Sequence, residues 1–497
     1  MLENINAILG AIDDFVWGVP LMVLIIAGGL ILTVRAGGVQ FTNLGRALRY
    51  MWKNEKGASG ELSSFAALCT ALSATVGTGN IVGVATAIAT GGPGAVFWMI
   101  MAAVVGMATK YSEGLLAVKF RNVDPETGHT LGGPFYYIER GMGKNWKWLA
   151  VMFAIFGCMV GLFGIGTFTQ VNSITGAIQT FFDPNFDPAG TAGLIIAGRA
   201  ISWSVVVGGA ILAIIVCLVV VGGIKRIAAV AEKVVPTMIV IYVVCALLII
   251  ILHITQIPAA LGTIIYAAFN PSAVTGGVVG SIIVAMQKGV ARGIFSNEAG
   301  LGSAPIAAAA AQTREPVRQG LVSMTGTFID TIIVCLMTAL CIVVTGAWDP
   351  SLGLEGVQIT NQAFQTGLPF PHAFSSFLLM ICMVVFGFTT ILGWDYYSER
   401  CLEYLIGNRK GGILTYRWAY ILCVFIGPYF TVSAVWTIAD IVNGLMALPN
   451  MIALIALSGV VAKETKSYLT RLKAAGSEEE MEPFKEDYSL WKSRPQA

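Results

Sequence analysis

The sequence predicts an all-α membrane protein of eleven transmembrane helices: one extra N-terminal helix, then two five-helix repeats of opposite orientation. Three observations carry this reading. Of 497 residues, 56% are hydrophobic and only 12% charged, against roughly 25% charge in soluble domains. Basic residues crowd one set of loops. Two long hydrophobic segments, five spans apart, are broken by glycine-rich runs. The formal net charge of +2 implies no nucleic-acid partner.

A spanning helix needs about 20 mostly apolar residues. That criterion gives segments at 15–34, 62–90, 93–118, 149–180, 201–223, 234–253, 276–312, 320–346, 372–397, 416–436 and 438–460. The first basic residue is Arg35, so the first segment lacks a signal peptide's positive n-region and reads as a true span. Arg35 to Lys56 follow the first span, Lys119 to Lys147 the third, and Lys225 to Lys233 the fifth. Arg314 and Arg318 follow the seventh, Arg400 to Arg417 the ninth, and the tail adds Lys463 onward. The opposite loops carry only Arg199, and Lys110, Lys288 and Arg292 fall inside spans. The positive-inside rule then predicts the N-terminus outside and the C-terminus in the cytoplasm of a cell (inner) membrane.

The outward loops hold Glu3, Asp13, Asp14, Asp183, Asp187, Asp349 and Glu355, with short apolar stretches at 257–269 and 357–367 expected along the outer surface. The expected organisation is 1–61 for the extra helix and its loop, 62–253 for the first repeat and 254–275 for an extracellular loop helix. The second repeat occupies 276–460 and a cytoplasmic tail 461–497, mobile from 475 onward. The nine cysteines form no CxxC, and His129, His253 and His372 are isolated. A disulfide framework or zinc site therefore has no support, and no cofactor is expected.

The chemistry lies in the breaks. Segment two contains Thr75-Val-Gly77-Thr78-Gly79-Asn80, and segment seven contains Phe295 to Ser303, FSNEAGLGS. Interrupted segments at matching positions of two halves point to an inverted-repeat transporter. Unwinding frees carbonyls for a hard cation and amides for a carboxylate. Thr75, Thr78 and Asn80 add side-chain oxygens, a set suited to Na⁺-like ions. Gly79 and Gly83 also form a GxxxG, which alternatively serves helix packing.

In the second break, Asn297 and Glu298 lie deep in an apolar segment. An intramembrane acid is a functional candidate by default. Glu298 reads as an ammonium partner, a proton carrier, or half of a structural pair with Arg292. Phe295 can close over a solute or simply pack. In the ninth span, Phe386, Thr389, Thr390 and Trp394 share one face. The two hydroxyls and a carbonyl can complete a cation shell, or the hydroxyls can bond their own helix. Trp394 is a pocket wall or an interface anchor. Gln170, in TFTQVNS, needs a partner, whether ligand or neighbouring helix.

ATVGTGNIVGVA, GGPGAVFW, TKYSEGLLA, RGIFSNEAGLGSAP, LGWDYYSER and NGLMALPN occur in order from about residue 15 to 460. Together they resemble the alanine or glycine:cation symporter family. The resemblance implies a leucine-transporter-like fold and Na⁺-driven, sometimes H⁺-driven, uptake of small neutral amino acids. It implies that Thr75, Gly77 and Gly79 meet the substrate carboxylate, with Thr78 beside them. Phe295, Ser296, Asn297 and Glu298 would surround the amino group or form the gate. Gln170 and Trp394 would line the pocket. Sodium would draw on oxygens near Ser73, Val76 and Phe386 with Thr389 and Thr390. Asn80 matches an asparagine at a second ion site of the wider fold, whose other ligands the sequence does not identify.

Alanine, glycine and serine fit this picture, with glutamine as the alternative substrate. A channel would need rings of acids or carbonyls. A membrane enzyme would need a convergent nucleophile and base. Neither pattern is found in the sequence.

Overall fold

A computed structural model describes residues 2–53, 55, 60–123, 130–187, 193–196, 199–270, 282–407, 409–476 and 481. Residues 271–281, which include the start of the seventh expected segment, lie outside the described residues. So do Lys56, His129 and nearly all of the tail beyond Gly476.

The chain is mostly helical. Among the described residues, eight helical stretches are long and apolar enough to cross a membrane: Ile8–Arg35, Gly94–Lys119, Lys144–Phe182, Trp203–Val220, Gly223–Leu252, Pro316–Val344, His372–Ile406 and Val432–Ala456. Three of the expected spans have no counterpart among these eight. One is split into Ser64–Thr75 and Val82–Gly91, another into Ile282–Asn297 and Ala304–Ala308. Lys410–Ile426 has 17 residues.

Helix starts are written locally. Ser63 accepts from Ala66 N (3.0 Å), Ser202 from Ser204 N (3.1 Å) and Thr431 from Ala434 N (3.3 Å). Each supplies one missing partner to a first-turn amide. The end of the second broken helix is held from outside instead. Arg121 Nη1 donates to Ala309 O and Ala311 O, and its Nη2 to Thr313 O. A cation there satisfies carbonyls that the helix leaves open.

The expected boundaries fail in two places, and two loops add short strands. The turn between the last two expected spans is Gly427–Tyr429, with Thr431 as the next cap, so 436–438 lies inside a helix. Hydropathy runs unbroken through Gly427-Pro428, and the turn residues were the real marker. Segment 149–180 is two helices, Lys147–Phe163 and Phe168–Phe182, parted at Gly164–Thr167. Finally, the fold is not purely α. Asn122–Val123 pairs with Thr130–Leu131, and Leu194–Ile196 with Arg199–Ile201, as short antiparallel hairpins in loops.

Burial sorts the helices. Gly94–Lys119 and Pro316–Val344 are 67% buried over their apolar windows, while Trp203–Val220 and Gly223–Leu252 are 33% buried. The first pair forms the centre, packed along each other and against both broken helices. Small residues permit that approach. A Cβ on Gly320 would lie 2.7 Å from Tyr111 O and 2.9 Å from its ring. Gly320→Val should therefore destabilise the protein by about 1–3 kcal/mol, read as a lower melting temperature in detergent. Gly262→Ala, where nothing lies within 4 Å, should leave it unchanged or slightly raised.

Candidate functional site at two helix breaks

The first break begins when Val76 becomes extended (ψ 91°) and Gly77 follows it (φ −138°, ψ −155°). A 3-10 turn, Thr78–Asn80, precedes the new helix at Val82. Asn80 Oδ1 accepts from Gly77 N at 2.8 Å, and Gln170 Oε1 accepts from Thr78 N at 3.1 Å. Gln170 is itself held by its Nε2 on Ile165 O, in the interruption that splits its own span. A Cβ on Gly77 would run into Thr390 Oγ1 and sit 3.2 Å from Gln170 Oε1. Only glycine lets this backbone lie between the two side chains. Among the described residues, the buried Thr78 hydroxyl has no hydrogen-bond partner.

The expected ion ligands line the same contact. Gly393 of the His372–Ile406 helix approaches so closely that a Cβ there would lie 2.8 Å from Ser73 Oγ and Ala74 N. Ser73 Oγ donates to Thr70 O at 2.7 Å, and Thr389 and Thr390 both donate to Phe386 O, at 2.9 and 3.1 Å. All three hydroxyls bond their own helices; Thr390 lies against Gly77, while Thr389 Oγ1 also meets Met238 Sδ at 3.4 Å. Val76 is fully buried at the point of unwinding. Thr75 is turned elsewhere. Its hydroxyl donates to Ala71 O, and its side chain lines a cavity of about 10 Å³ beside Lys110 and Gln319. The buried Lys110 ammonium has no hydrogen-bond partner.

The second break starts at Glu298, the one non-glycine residue with positive φ (57°) among the described residues. Gly300 (φ 94°) and Gly302 (φ 82°) carry the chain to Ala304. A carboxylate residue held in the left-handed region marks strain that its surroundings must enforce. They do so with hydrogen bonds. Trp394 Nε1 donates to Glu298 Oε1 at 2.7 Å, and Ser303 Oγ to its Oε2 at 2.6 Å. Asn297 bridges Ala299 N and Thr331 Oγ1. Arg292 is not the partner of Glu298, as one sequence reading allowed. It makes a bidentate pair with Asp440, at 2.8 and 2.6 Å. Six residues along a helix put Arg292 and Glu298 on different faces.

Asp330 ties the two breaks together. Its Oδ1 accepts from Asn80 Nδ2 at 2.6 Å, and its Oδ2 from Ser296 Oγ at 2.9 Å and Thr331 Oγ1 at 2.7 Å. Asp330 lies in a π-helical stretch, Phe328–Cys335, within the Pro316–Val344 helix. Such stretches often re-aim side chains at functional sites. On the far side of the second break, Glu113 Oε1 accepts from Gly300 N and Gly302 N at 3.1 Å and from Asn450 Nδ2 at 2.7 Å. Tyr137 donates to Asn450 Oδ1. Phe295 packs next to Gly79, where a Cβ would lie 3.2 Å from its ring, and on Trp436 at 4.7 Å.

The structure therefore brings together Gly77, Thr78, Gln170 and Thr390, and separately Glu298, Ser303 and Trp394. Asn80, Ser296 and Asp330 join the two groups. Sequence reasoning missed Asp330, Glu113, Asn450 and Asp440. Asp330 carried a usable signal, since it is an acid inside an apolar span like Glu298.

Residues 2–483 match the family model described as the sodium:alanine symporter family. The chain belongs to this family. It is 44% identical over 468 residues to "Sodium/alanine symporter AgcS" of Methanococcus maripaludis, covering 93% of this chain and 97% of that one. It is 54% identical to an uncharacterized transporter of Haemophilus influenzae, covering 95% and 97%. A "probable sodium/glutamine symporter GlnT" of Bacillus subtilis is 36% identical, covering 96% and 93%. The crystal structure of MhsT in complex with L-phenylalanine is similar in fold, with a TM-score of 0.54, 12% identity, and coverage of 83% of this chain and 99% of that one. The family is one of transporters, not enzymes.

Replacing Glu113 by Ala leaves two buried amides and Asn450 without their acceptor. An orphaned buried donor costs about 1–3 kcal/mol. Glu113→Ala should therefore lower the melting temperature of the purified protein clearly more than Tyr137→Phe, which removes only the outer end of the network.

Proposed function

We propose that this chain is a sodium-coupled symporter importing alanine and glycine, and serine as well, by alternating access. The observation that carries the reading is the close approach of two unwound helix segments, joined through Asn80, Ser296 and Asp330 and flanked by Gln170, Thr390, Phe295 and Trp394. The Gly77 and Thr78 amides, held here by Asn80 and Gln170, can exchange those partners for a carboxylate beside the Thr78 hydroxyl. Glu298, with Ser296 and Asn297, suits the ammonium on the opposite side. Trp394 is fully buried and its indole is bonded to Glu298, a bulky wall that suits a small side chain rather than a long one.

Sodium is assigned to the seam of Ser73, Val76, Phe386, Thr389 and Thr390, whose hydroxyls can turn from their own carbonyls toward a cation. A second ion position is assigned to Asn80, Ser296 and Asp330, where a full carboxylate supplies the charge. Protons as an alternative coupling ion belong to the same reading. Each ligand stabilises the occluded form relative to the open ones, and that difference drives the cycle.

Eleven spans in an inner membrane, with the N-terminus outside and the C-terminus in the cytoplasm, complete the proposal. The halves 62–253 and 276–460 are the inverted repeats, flanked by 1–61, the loop 254–275 and the tail 461–497. Glutamine is the second reading, favoured by the 36% identity to a chain named as a probable sodium/glutamine symporter. The fixed Trp394 ring argues against the longer side chain.

Radiolabelled alanine uptake into proteoliposomes, with and without an inward sodium gradient, tests the proposal. Uptake should need the gradient and be competed by glycine and serine more strongly than by glutamine. Sodium-independent uptake at fixed pH would refute the coupling. Thr390→Ala should raise the sodium concentration for half-maximal uptake by about tenfold, the equivalent of 1.4 kcal/mol. An unchanged value places the ion elsewhere.

A further inference from the structure

The extra N-terminal helix is outside both proposed repeats, yet it reaches an ion pair beside the two breaks. Arg292, on the second broken helix, grips Asp440 of the Val432–Ala456 helix, and both are nearly buried. The guanidinium lies 4.7 Å over the Trp436 ring and 5.7 Å from Phe295, the ring packed at Gly79. Opening this end requires Ile282–Asn297 to part from Val432–Ala456.

Trp17 is bonded to both of those helices. Its indole Nε1 donates to Asp440 O at 2.8 Å, and its own carbonyl accepts from Gln287 Nε2 at 3.0 Å. The ring is buried against Gly444, where a Cβ would lie 3.2 Å from Trp17 Nε1 and 3.3 Å from Leu21. Asp13, one turn earlier, is within electrostatic range of Asp440, Lys288 and Arg292, and its buried Oδ1 accepts no hydrogen bond among the described residues.

We propose that the N-terminal helix sets the outer gate: Trp17 is a positioning residue that latches Asp440 and Gln287 in the closed form, and Asp13 receives Arg292 when the pair with Asp440 opens. The inference rests on the transport reading above, in which this end faces outward. The two residues then act in opposite directions. Trp17 holds the closed arrangement, whereas Asp13 offers Arg292 a second carboxylate and so lowers the cost of opening. A packing role alone would have no such opposed signature.

The test uses the full-length carrier with Gly83→Cys as reporter. A Cβ at Gly83 meets only Trp436 Cη2, at 4.0 Å, just behind the gate. Labelling by a membrane-impermeant thiol reagent, measured over the background of the native cysteines, reports gate opening without any transported solute. Trp17→Phe keeps the ring and loses the donor. It should speed labelling about fivefold, the weight of one buried hydrogen bond, and raise the KM for alanine with kcat preserved. Asp13→Asn should slow labelling. Equal labelling in all three carriers, or a shift in the same direction in both variants, overturns the proposal. Failure of the reporter carrier with wild-type Trp17 and Asp13 to move any amino acid would instead overturn the transport reading.

Discussion

Two helices lose their backbone pairing in the interior of the bundle, and the peptide groups they release must find partners there. Water cannot supply them in a packed apolar core, and each unmet group would be costly. The surrounding side chains are organised by that requirement. Asn80 folds back on Gly77, Gln170 reaches Thr78, Asn297 holds Ala299, and Glu113 collects the amides of Gly300 and Gly302.

The arrangement keeps the breaks rigid while leaving a few groups uncommitted. Glycines at Gly77 and Gly393 allow the first broken helix to lie against the helix carrying Thr389 and Thr390. The carboxylates of Glu298 and Asp330 are fully buried and ringed by donors. The two breaks thus combine backbone groups held by side chains with hydroxyls, at Thr389 and Thr390, that bond their own helix carbonyl.

Much of this was legible in the sequence because the bilayer constrains sequence strongly. Apolar length marked the helices, and glycine density marked both breaks. Glu298 stood out because an acid inside an apolar run has few harmless explanations. Other features left weaker traces. The turn at Gly427–Tyr429 was hidden because hydropathy does not change across it. The interruption before Gln170 was hidden for the same reason. Asp330 had the same signal as Glu298 but sat in a span with no glycine break to draw attention to it.

The sequence by itself determined that this is a helical membrane protein with two interrupted segments carrying polar groups. Apolar length and backbone-breaking residues are local properties, so they can be read along the chain. Only the tertiary structure decided the partners: Arg292 with Asp440 rather than Glu298, Trp394 on Glu298, Asp330 across both breaks, and Trp17 on Asp440. Those pairings join residues tens to hundreds of positions apart. Which donor meets which buried acceptor depends on how helices pack, and no local pattern encodes that.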